Sequence, residues 1–287
     1  MIQRLVVWLR TYRGQPLSLA LRLAMLLSVA LTVAVLLLLV GHILLEGVPA
    51  LVAFFPSIFA WEYNGENVSM MPALVNTVLV TVLSLVVAVP LGIGAAIYLV
   101  EYAPRHSPLV QVIQLATETL SGIPSIIYGL FGYLLFVLAL GFGYSLVAGV
   151  ATLSIMILPL IIRTSQEALQ SVSDSFREGS FGLGAGRLRT VFQVVLPSAV
   201  PGILSGVILA VGRIAGESAA LIFTAGTYAA VPDKFTDSAR TLSVHMYALL
   251  SEGLYTGQAY ASAVVLLVLV VGINALSSFV ARKLVRR

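Results

Sequence analysis

Two oppositely charged residues, Arg213 and Glu217, lie inside an apolar stretch that runs from about residue 199 to residue 224. A charge within an apolar span is costly and is therefore a functional candidate by default. The two residues are four positions apart, which places them on one face of a continuous helix. An arginine guanidinium presents a planar set of donors that suits an oxyanion. The alternative is a buried ion pair between Arg213 and Glu217 that only stabilises the protein.

Glu217 has two possible roles beside such an oxyanion: it either orients Arg213 or accepts a hydrogen bond from a protonated oxygen of the anion. Monohydrogen phosphate carries an O–H donor, whereas sulfate does not. A buried carboxylate acceptor favours the first and repels the second, because unpaired polar groups in a site are costly. The pair therefore suggests the hypothesis of a site that prefers phosphate to sulfate.

Small residues share the predicted helical face with this pair, within an arc of about 80°. They are Gly202, Gly206, Ala210, Ala220 and Thr224. Such a face either permits the close approach of another helix or leaves space for a solute path.

A further carboxylate, Glu118, lies three residues before the segment Ser121-Gly122-Ile123-Pro124-Ser125. Glycine and proline at this spacing free backbone groups and kink a helix. We predict a helix break at Gly122, Pro124 and Ser125. It is either a kink required for packing, with Glu118 bonded to a neighbour, or a gate with Glu118 in the solute pathway.

The composition indicates which kind of chain must position these residues. Of its 287 residues 59% are hydrophobic and 10% are charged, against about 25% charged in an ordinary soluble domain. The mean hydropathy is +1.03. These values exclude a globular enzyme with one membrane anchor, a disordered chain and a main role in nucleic-acid binding. Cysteine is absent, and His42, His106 and His245 have no metal-ligand spacing, so we predict no metal site.

Six apolar stretches are long enough to cross a membrane as helices. They cover about 23–45, 72–100, 109–140 with an interruption at 121–124, 144–162, 199–224 and 259–280. An all-α polytopic membrane protein follows, with both termini on one side. All 16 lysines and arginines except Arg213, Lys234 and Arg240 fall on that side, so it is predicted to be cytoplasmic. The outer link at 225–258 is predicted to hold an amphipathic helix through Leu242, Met246, Leu249 and Leu250.

The inner link at 163–198 carries the most specific motif. Glu178-Gly179-Ser180 is followed after three residues by Gly184 and, after nine more, by Val194, Val195, Leu196 and Pro197. Ser173-Asp174 predicts the start of a helix, Gly184 permits a sharp turn, and Pro197 suits the first turn of the next span. This spacing resembles the "EAA" loop of ABC importer permeases, with Gly-Ser in place of Ala-Ala and Val in place of Ile. The alternative is a solvated loop facing lipid headgroups.

In that family the loop docks on an ATPase subunit, which implies ATPase coupling through Glu178, Gly184, Leu196 and Pro197. The chain lacks a Gly-x-x-x-x-Gly-Lys-Ser/Thr phosphate loop. It therefore cannot hydrolyse ATP by that route, and it is not expected to be catalytic by itself.

Further segments resemble permease subunits of phosphate ABC importers, of the PstA type. They are 121–132, Ile161-Ile162-Arg163-Thr164 and 212–224, which begins Gly-Arg-Ile-Ala-Gly-Glu. Ser218-Ala219-Ala220 stands where members of the family usually have Thr-Ala-Pro. The similarity extends from about residue 72 to residue 280.

The resemblance implies a type I ABC importer permease fold, with a core at 71–280, a coupling loop at 163–198, an N-terminal segment at 1–70 and a basic tail at 281–287. It also implies that Arg213, Glu217 and Glu118 line a phosphate pathway in a bacterial inner membrane. Expected partners are a homologous second permease, two copies of an ATP-binding subunit that hold ATP and Mg²⁺, and an extracytoplasmic phosphate-binding protein. No cofactor is expected on this chain. The alternatives are a permease for sulfate, molybdate or phosphonate, the partner permease of the same importer, and a secondary transporter or channel.

Overall fold

The computed structural model describes residues 16–104 and 107–285, and the regular structure within these ranges is helical throughout. Its α-helices are α1 (Pro16–Ala53), α2 (Met71–Ile97), α3 (Pro108–Ser121), α4 (Ser125–Gly132), α5 (Leu146–Gln170), α6 (Asp174–Gly182), α7 (Arg187–Thr190), α8 (Leu196–Ala215), α9 (Ala219–Thr224), α10 (Leu242–Glu252) and α11 (Thr256–Val285). Three π-helical segments extend α2, α4 and α7: Tyr98–Tyr102, Tyr133–Ala139 and Val191–Val195. Some basic residues that the sequence analysis placed on the cytoplasmic side lie outside the described residues. They are Arg4, Arg10, Arg13, Arg105, Arg286 and Arg287. His106 also lies outside them.

Five helical segments are long and apolar enough to cross a membrane: Ala20–Ala53, Met71–Tyr102, Leu146–Gln170, Arg187–Ala215 and Thr256–Phe279. A bent pair, Val110–Ser121 with Ser125–Ala139, meets the same criterion when its two parts are taken together. With that pair counted as one span, the described residues contain the six spans that the sequence predicts. The prediction of an all-α polytopic membrane protein is confirmed.

The bend between α3 and α4 falls at the predicted glycine–proline segment, and the two helices meet there at 105°. Gly122 ends α3, and Pro124 precedes α4 with an extended backbone (φ −59°, ψ 142°). Proline lacks the N–H that would continue the first helix and disfavours helical geometry in the residue before it. The break therefore follows directly from the local sequence.

The bundle is held by contacts of α2 with α5, of α5 with α8, of α8 with α11 and of α11 with α1. Glycine permits the closest of these approaches. A Cβ atom at Gly202 would lie 2.6 Å from the Ala168 Cβ, and one at Gly206 would overlap the Thr164 side chain. The small-residue face of the fifth span thus packs against α5 at Gly202 and Gly206, which is the first of its two predicted uses.

Two ends of the bundle are distinguished below. The upper end carries residues 54–70 and 225–255, and the lower end carries residues 98–104 and 171–195. The upper end includes α10, where Leu242 and Leu249 are buried, Met246 is half-buried and Leu250 is exposed. The predicted amphipathic helix is therefore present, but its buried face excludes Leu250. The lower end carries the link that the charge distribution predicts to be cytoplasmic, and this orientation stays a prediction.

Candidate functional site

The fifth span is interrupted between Arg213 and Glu217, and the prediction of one helix over 199–224 was wrong at this point. Helix α8 ends at Ala215, and α9 begins at Ala219. The break leaves backbone groups without helical partners, and side chains replace them. The Glu217 Oε1 accepts a hydrogen bond from the Ala220 N–H at 3.1 Å, while the Ser243 hydroxyl donates to the Glu217 carbonyl. Hydropathy did not reveal the interruption because both halves are apolar.

Arg213 and Glu217 form no salt bridge in the part of the chain that the structure describes; the ion pairs there are Arg163–Glu167, Arg177–Glu101 and Arg177–Asp174. Arg213 is half-buried in the last turn of α8, where the carbonyl end of a helix favours a cation. Glu217 is buried, with 9% of its surface exposed. The alternative interpretation, a stabilising ion pair between Arg213 and Glu217, is therefore wrong for this structure.

The short helices that follow the interruptions of the third and fifth spans pack against each other. Helix α4 packs on α9, and a Cβ atom at Gly129 of α4 would lie only 2.8 Å from the Ala220 Cα. One helical turn on, a Cβ at Gly132 would lie 2.9 Å from the Thr224 Cγ2. The break at Gly122 and Pro124 and the break before Ala219 thus position two short helices that contact one another directly.

Glu118 occupies a different place from the other two pathway candidates. It is exposed on α3 and lines a pocket of about 260 Å³ with Arg163, Glu167 and Gln170 of α5. Arg213 and Glu217 do not line this pocket. The structure therefore does not bring Glu118 together with them.

The loop that follows α5 has the local structure predicted for it. The Ser173 hydroxyl accepts a hydrogen bond from the Ser175 N–H at the start of α6, and Gly184 turns the chain with a φ of +82°. Glu178 and Gly184 are exposed, Leu196 is half-buried, and Pro197 lies in the first turn of α8. All four predicted coupling residues thus lie at the lower end, along or just after one helix–turn–helix.

Apolar side chains are exposed on the same loop. Phe176, Phe181 and Leu183 have 58%, 47% and 91% of their surfaces exposed. The loop nevertheless has a fixed internal shape, because the hydroxyls of Ser180 and Thr190 lie 2.8 Å apart in a hydrogen bond that joins α6 to α7. A rigid loop with exposed aromatic and aliphatic groups is typical of a protein contact.

Arg177 attaches α6 to the membrane helices, a role that the sequence did not reveal. Its guanidinium donates to the Glu101 carboxylate at 2.7 Å and to the carbonyls of Leu169 and Val172 at 2.9 and 2.7 Å. Glu101 is 7% exposed and lies in the π-helical end of the second span. Opposite charges at two positions of the predicted cytoplasmic side were visible in the sequence, but nothing there showed that they meet.

A buried cation, Arg240, lies at the upper end and was predicted only as one of two basic residues of the outer link. It lines a pocket of about 940 Å³ with its guanidinium carbon 5.5 Å from the centroid of the Tyr63 ring. The His245 ring meets Tyr63 edge-on, with ring centroids 6.1 Å apart. Burial, and next the charge of Arg240, lower the pKa of His245 to about 3, so this histidine is neutral near pH 7.

Within the described residues, no cluster of three or more His, Asp or Glu side chains is arranged to hold a metal ion.

Comparison with known proteins identifies similar sequences. The family model described as "Binding-protein-dependent transport system inner membrane component" matches residues 88–287. The probable ABC transporter permease protein YqgI of Bacillus subtilis (strain 168) is 40% identical over 153 residues, which are 53% of this chain and 52% of that protein. The chain thus matches about half the length of this relative. The phosphate transport system permease protein PstA of Mycobacterium leprae (strain TN) is 35% identical over 205 residues, 70% of this chain and 67% of that protein. The predicted resemblance to PstA permeases is confirmed.

Solved structures show the same fold at low identity. A bacterial ABC transporter for alginate, in complex with a periplasmic protein that holds an alginate pentasaccharide, superposes with a TM-score of 0.60 at 16% identity, over 89% of this chain and 95% of that one. The MetNI methionine ABC transporter, in an inward-facing conformation, gives 0.58 at 20% identity, over 75% and 94%. The predicted type I importer permease fold is confirmed.

Proposed function

Since the chain belongs to the family of inner membrane components of binding-protein-dependent transport systems, we propose that it forms the pathway by which an ATP-driven importer carries inorganic phosphate into the cytoplasm. It is a multi-pass inner-membrane permease subunit of an ABC importer, a transport component rather than a catalytic protein. The substrate, the coupling to ATP and the orientation of the termini belong to the proposal.

The observation that carries the phosphate assignment is the break in the fifth span. Arg213 has no carboxylate partner within the described residues, so its guanidinium is available to an oxyanion. Glu217 uses one oxygen to accept from the Ala220 N–H, which leaves Oε2 to accept the hydroxyl hydrogen of monohydrogen phosphate. Sulfate offers no such hydrogen and would meet a repelling carboxylate instead. The similarity to PstA permeases supports the same substrate.

Coupling to ATP hydrolysis is assigned to the loop at the lower end. Its exposed Phe176, Phe181 and Leu183 form a surface that fits a groove on a partner, and Arg177 connects that surface to Glu101 in the second span. Closure of two ATP-binding subunits, which hold ATP and Mg²⁺, would push on α6 and so move the membrane helices. Glu178, Gly184, Leu196 and Pro197 belong to this contact in the proposal.

The remaining partners follow from the family. We place a homologous second permease beside this chain and an extracytoplasmic phosphate-binding protein at the upper end, with both termini in the cytoplasm. Glu118 then faces the cytoplasmic mouth beside Arg163, and Gly122, Pro124 and Ser125 form the hinge between α3 and α4.

Uptake of radiolabelled phosphate by cells that depend on this importer tests the assignment. We expect Arg213→Gln to lower uptake by about 10- to 100-fold, the range for losing hydrogen bonds to a charged group. Glu217→Gln retains an oxygen for the Ala220 cap but replaces the other acceptor with a donor. It should lower the preference for phosphate over sulfate about tenfold. Lys234→Gln, which removes an exposed cation of the outer segment that does not line the pocket of Glu118, is the control and should transport normally.

Three outcomes would contradict the proposal. Normal phosphate uptake by Arg213→Gln removes this residue from the pathway, and wild-type uptake of sulfate, molybdate or phosphonate in place of phosphate identifies another oxyanion permease. Uptake that persists after ATP depletion, together with recovery of the chain alone from detergent, indicates a secondary transporter or channel.

A further inference from the structure

Arg240 is a buried cation without a counter-charge in the part of the chain that the structure describes. It has only 4% of its surface exposed, its Nε lacks a hydrogen-bond partner, and it takes part in none of the salt bridges found there. Its described side-chain contact is the face of the Tyr63 ring. A cation–π contact offsets only part of the cost of taking a charge out of water.

The residues around Arg240 do not supply the missing negative charge. His245 is neutral near pH 7, because burial and Arg240 lower its pKa to about 3. Asn76 is uncharged, and its Nδ2 donates to the Arg240 carbonyl at 3.1 Å. An unpaired buried guanidinium in such surroundings attracts an anion more strongly than a hydrated surface arginine does.

The pocket in front of Arg240 is accessible to such an anion. It has a volume of about 940 Å³, and Trp61 and Tyr63 line it together with Arg240. Two acidic residues, Glu62 and Glu252, also line it. Both are exposed, so water and salt screen their charges. The strongest local attraction for an anion in this pocket therefore comes from Arg240.

The segment after Arg240 connects this pocket to the break in the fifth span. The Leu242 N–H donates to the Thr77 Oγ1 at 2.8 Å, which fixes the segment against α2. The Ser243 hydroxyl then donates to the Glu217 carbonyl. Arg240 is thus only three positions along the chain from a residue that directly contacts the proposed inner site.

We propose that Arg240 is an outer oxyanion-binding residue, which holds phosphate in the upper pocket before the anion reaches Arg213. The proposal rests on the function proposed above, for which it supplies the first binding step. The open shape of the pocket suits a low-affinity station from which the anion departs readily, and the planar guanidinium suits two oxygens of one phosphate.

Equilibrium binding of radiolabelled inorganic phosphate to the purified transporter complex, without the phosphate-binding protein, tests this step. We expect Arg240→Gln to weaken the binding by about tenfold, and Arg240→Lys to weaken it severalfold, because lysine keeps the charge but loses the fork of donors. Lys234→Gln is the matched control: it removes an exposed cation of the same outer segment and should bind phosphate as the wild type does.

The outcomes separate the two proposals. If the wild-type complex imports phosphate and Arg240→Gln binds it normally, the outer site is wrong and the transport function stands. If the wild type binds and imports only sulfate, the phosphate assignment fails, while weaker sulfate binding by Arg240→Gln still supports the outer site. Where Arg240→Gln does not assemble, Arg240→Lys decides: wild-type binding by that variant overturns the outer site. Failure of both variants to assemble shows a structural contact with a partner subunit and also overturns it.

Discussion

Each end of the bundle holds an arginine that is shielded from water, half-buried Arg177 at the lower end and buried Arg240 at the upper end, and the surroundings of the two charges differ. At the lower end Arg177 is surrounded by acceptors: a carboxylate at 2.7 Å and two main-chain carbonyls. At the upper end Arg240 has an aromatic face, a neutral histidine and an open pocket. The lower arginine is satisfied within the protein, whereas the upper one is not.

This difference indicates what each end does. A fully paired arginine fixes two elements relative to one another, and the elements that Arg177 joins are the exposed helix α6 and the second span. In the proposed function such a connection would pass a movement of α6 on to the second span. An arginine left with unused donors beside a pocket is suited to bind, because an arriving anion completes its hydrogen bonds. This difference agrees with the proposed roles, which are a rigid connection at the lower end and contact with a ligand at the upper end.

Breaking the lower pair should have the largest effect on this contrast. Arg177→Ala leaves the Glu101 carboxylate buried without a partner, and losing one member of a buried pair costs about 3–5 kcal/mol. We expect this cost to appear as a loss of order in α6. Amide hydrogen exchange over 174–182 should accelerate by about 100-fold or more, since every 1.4 kcal/mol is a factor of about ten, and phosphate uptake should fall with it.

Arg163→Ala provides the control for this change. Arg163 and Glu167 form an ion pair with a nitrogen–oxygen distance of 3.0 Å, but their side chains are 59% and 63% exposed. An exposed pair contributes less than about 1 kcal/mol, so exchange over 174–182 should stay as in the wild type. Equal acceleration in both variants would show that α6 responds to the loss of any charge at the lower end. The ion pair of Arg177 with Glu101 would then have no specific part in holding α6.

Sequence alone predicted the parts of the fold that local chemistry determines. Hydropathy revealed the spans, and the backbone restrictions of Gly122 and Pro124 predicted the bend between α3 and α4. The turn at Gly184 was predicted because only glycine readily adopts a positive φ. Each of these features depends on residues close together in the chain.

The features that sequence did not reveal depend on residues far apart in the chain. The fifth span is broken because Glu217 and Ser243 satisfy the backbone groups that the break exposes, and hydropathy does not register such contacts. The ion pair of Glu101 with Arg177 joins the end of the second span to α6, 76 residues further along the chain. The burial of Arg240 results from the fold of the outer link, so the residue had no signal in the sequence beyond its charge.

Acid should weaken the upper end through His245. The pKa of this histidine is about 3 in the folded protein, against about 6.5 in an unfolded chain. Well above that unfolded-state pKa both states are neutral and stability is complete. Below a pH of about 6.5 the unfolded state binds a proton at His245, whereas the folded state stays neutral there. Stability therefore falls as the pH drops from about 6.5 towards 3. At pH 5 the loss amounts to about 2 kcal/mol.

Unfolding of the purified protein by SDS, followed between about pH 7.5 and pH 5, measures this effect. Neither ring nitrogen of His245 has a hydrogen-bond partner among the described residues, so His245→Phe replaces it with an apolar ring that has no proton to bind. The variant should lose most of the decline between about pH 6.5 and pH 5. If the decline is unchanged in His245→Phe, another group causes the acid sensitivity, and His245 does not control the stability of the upper end.

Two serine caps offer the smallest test of the contrast between a buried upper end and an exposed lower end. Ser145 is fully buried beside the upper link and accepts a hydrogen bond from the Ala148 N–H at 3.3 Å, whereas Ser173 is exposed and accepts from the Ser175 N–H at 3.4 Å. Replacing such a cap with alanine costs about 1 kcal/mol on average. Water can reach the freed N–H at residue 175 but not at residue 148, so Ser145→Ala should cost about twice as much as Ser173→Ala in SDS unfolding. Equal costs would mean that water reaches both caps, and the burial of Ser145 would then not distinguish the two ends.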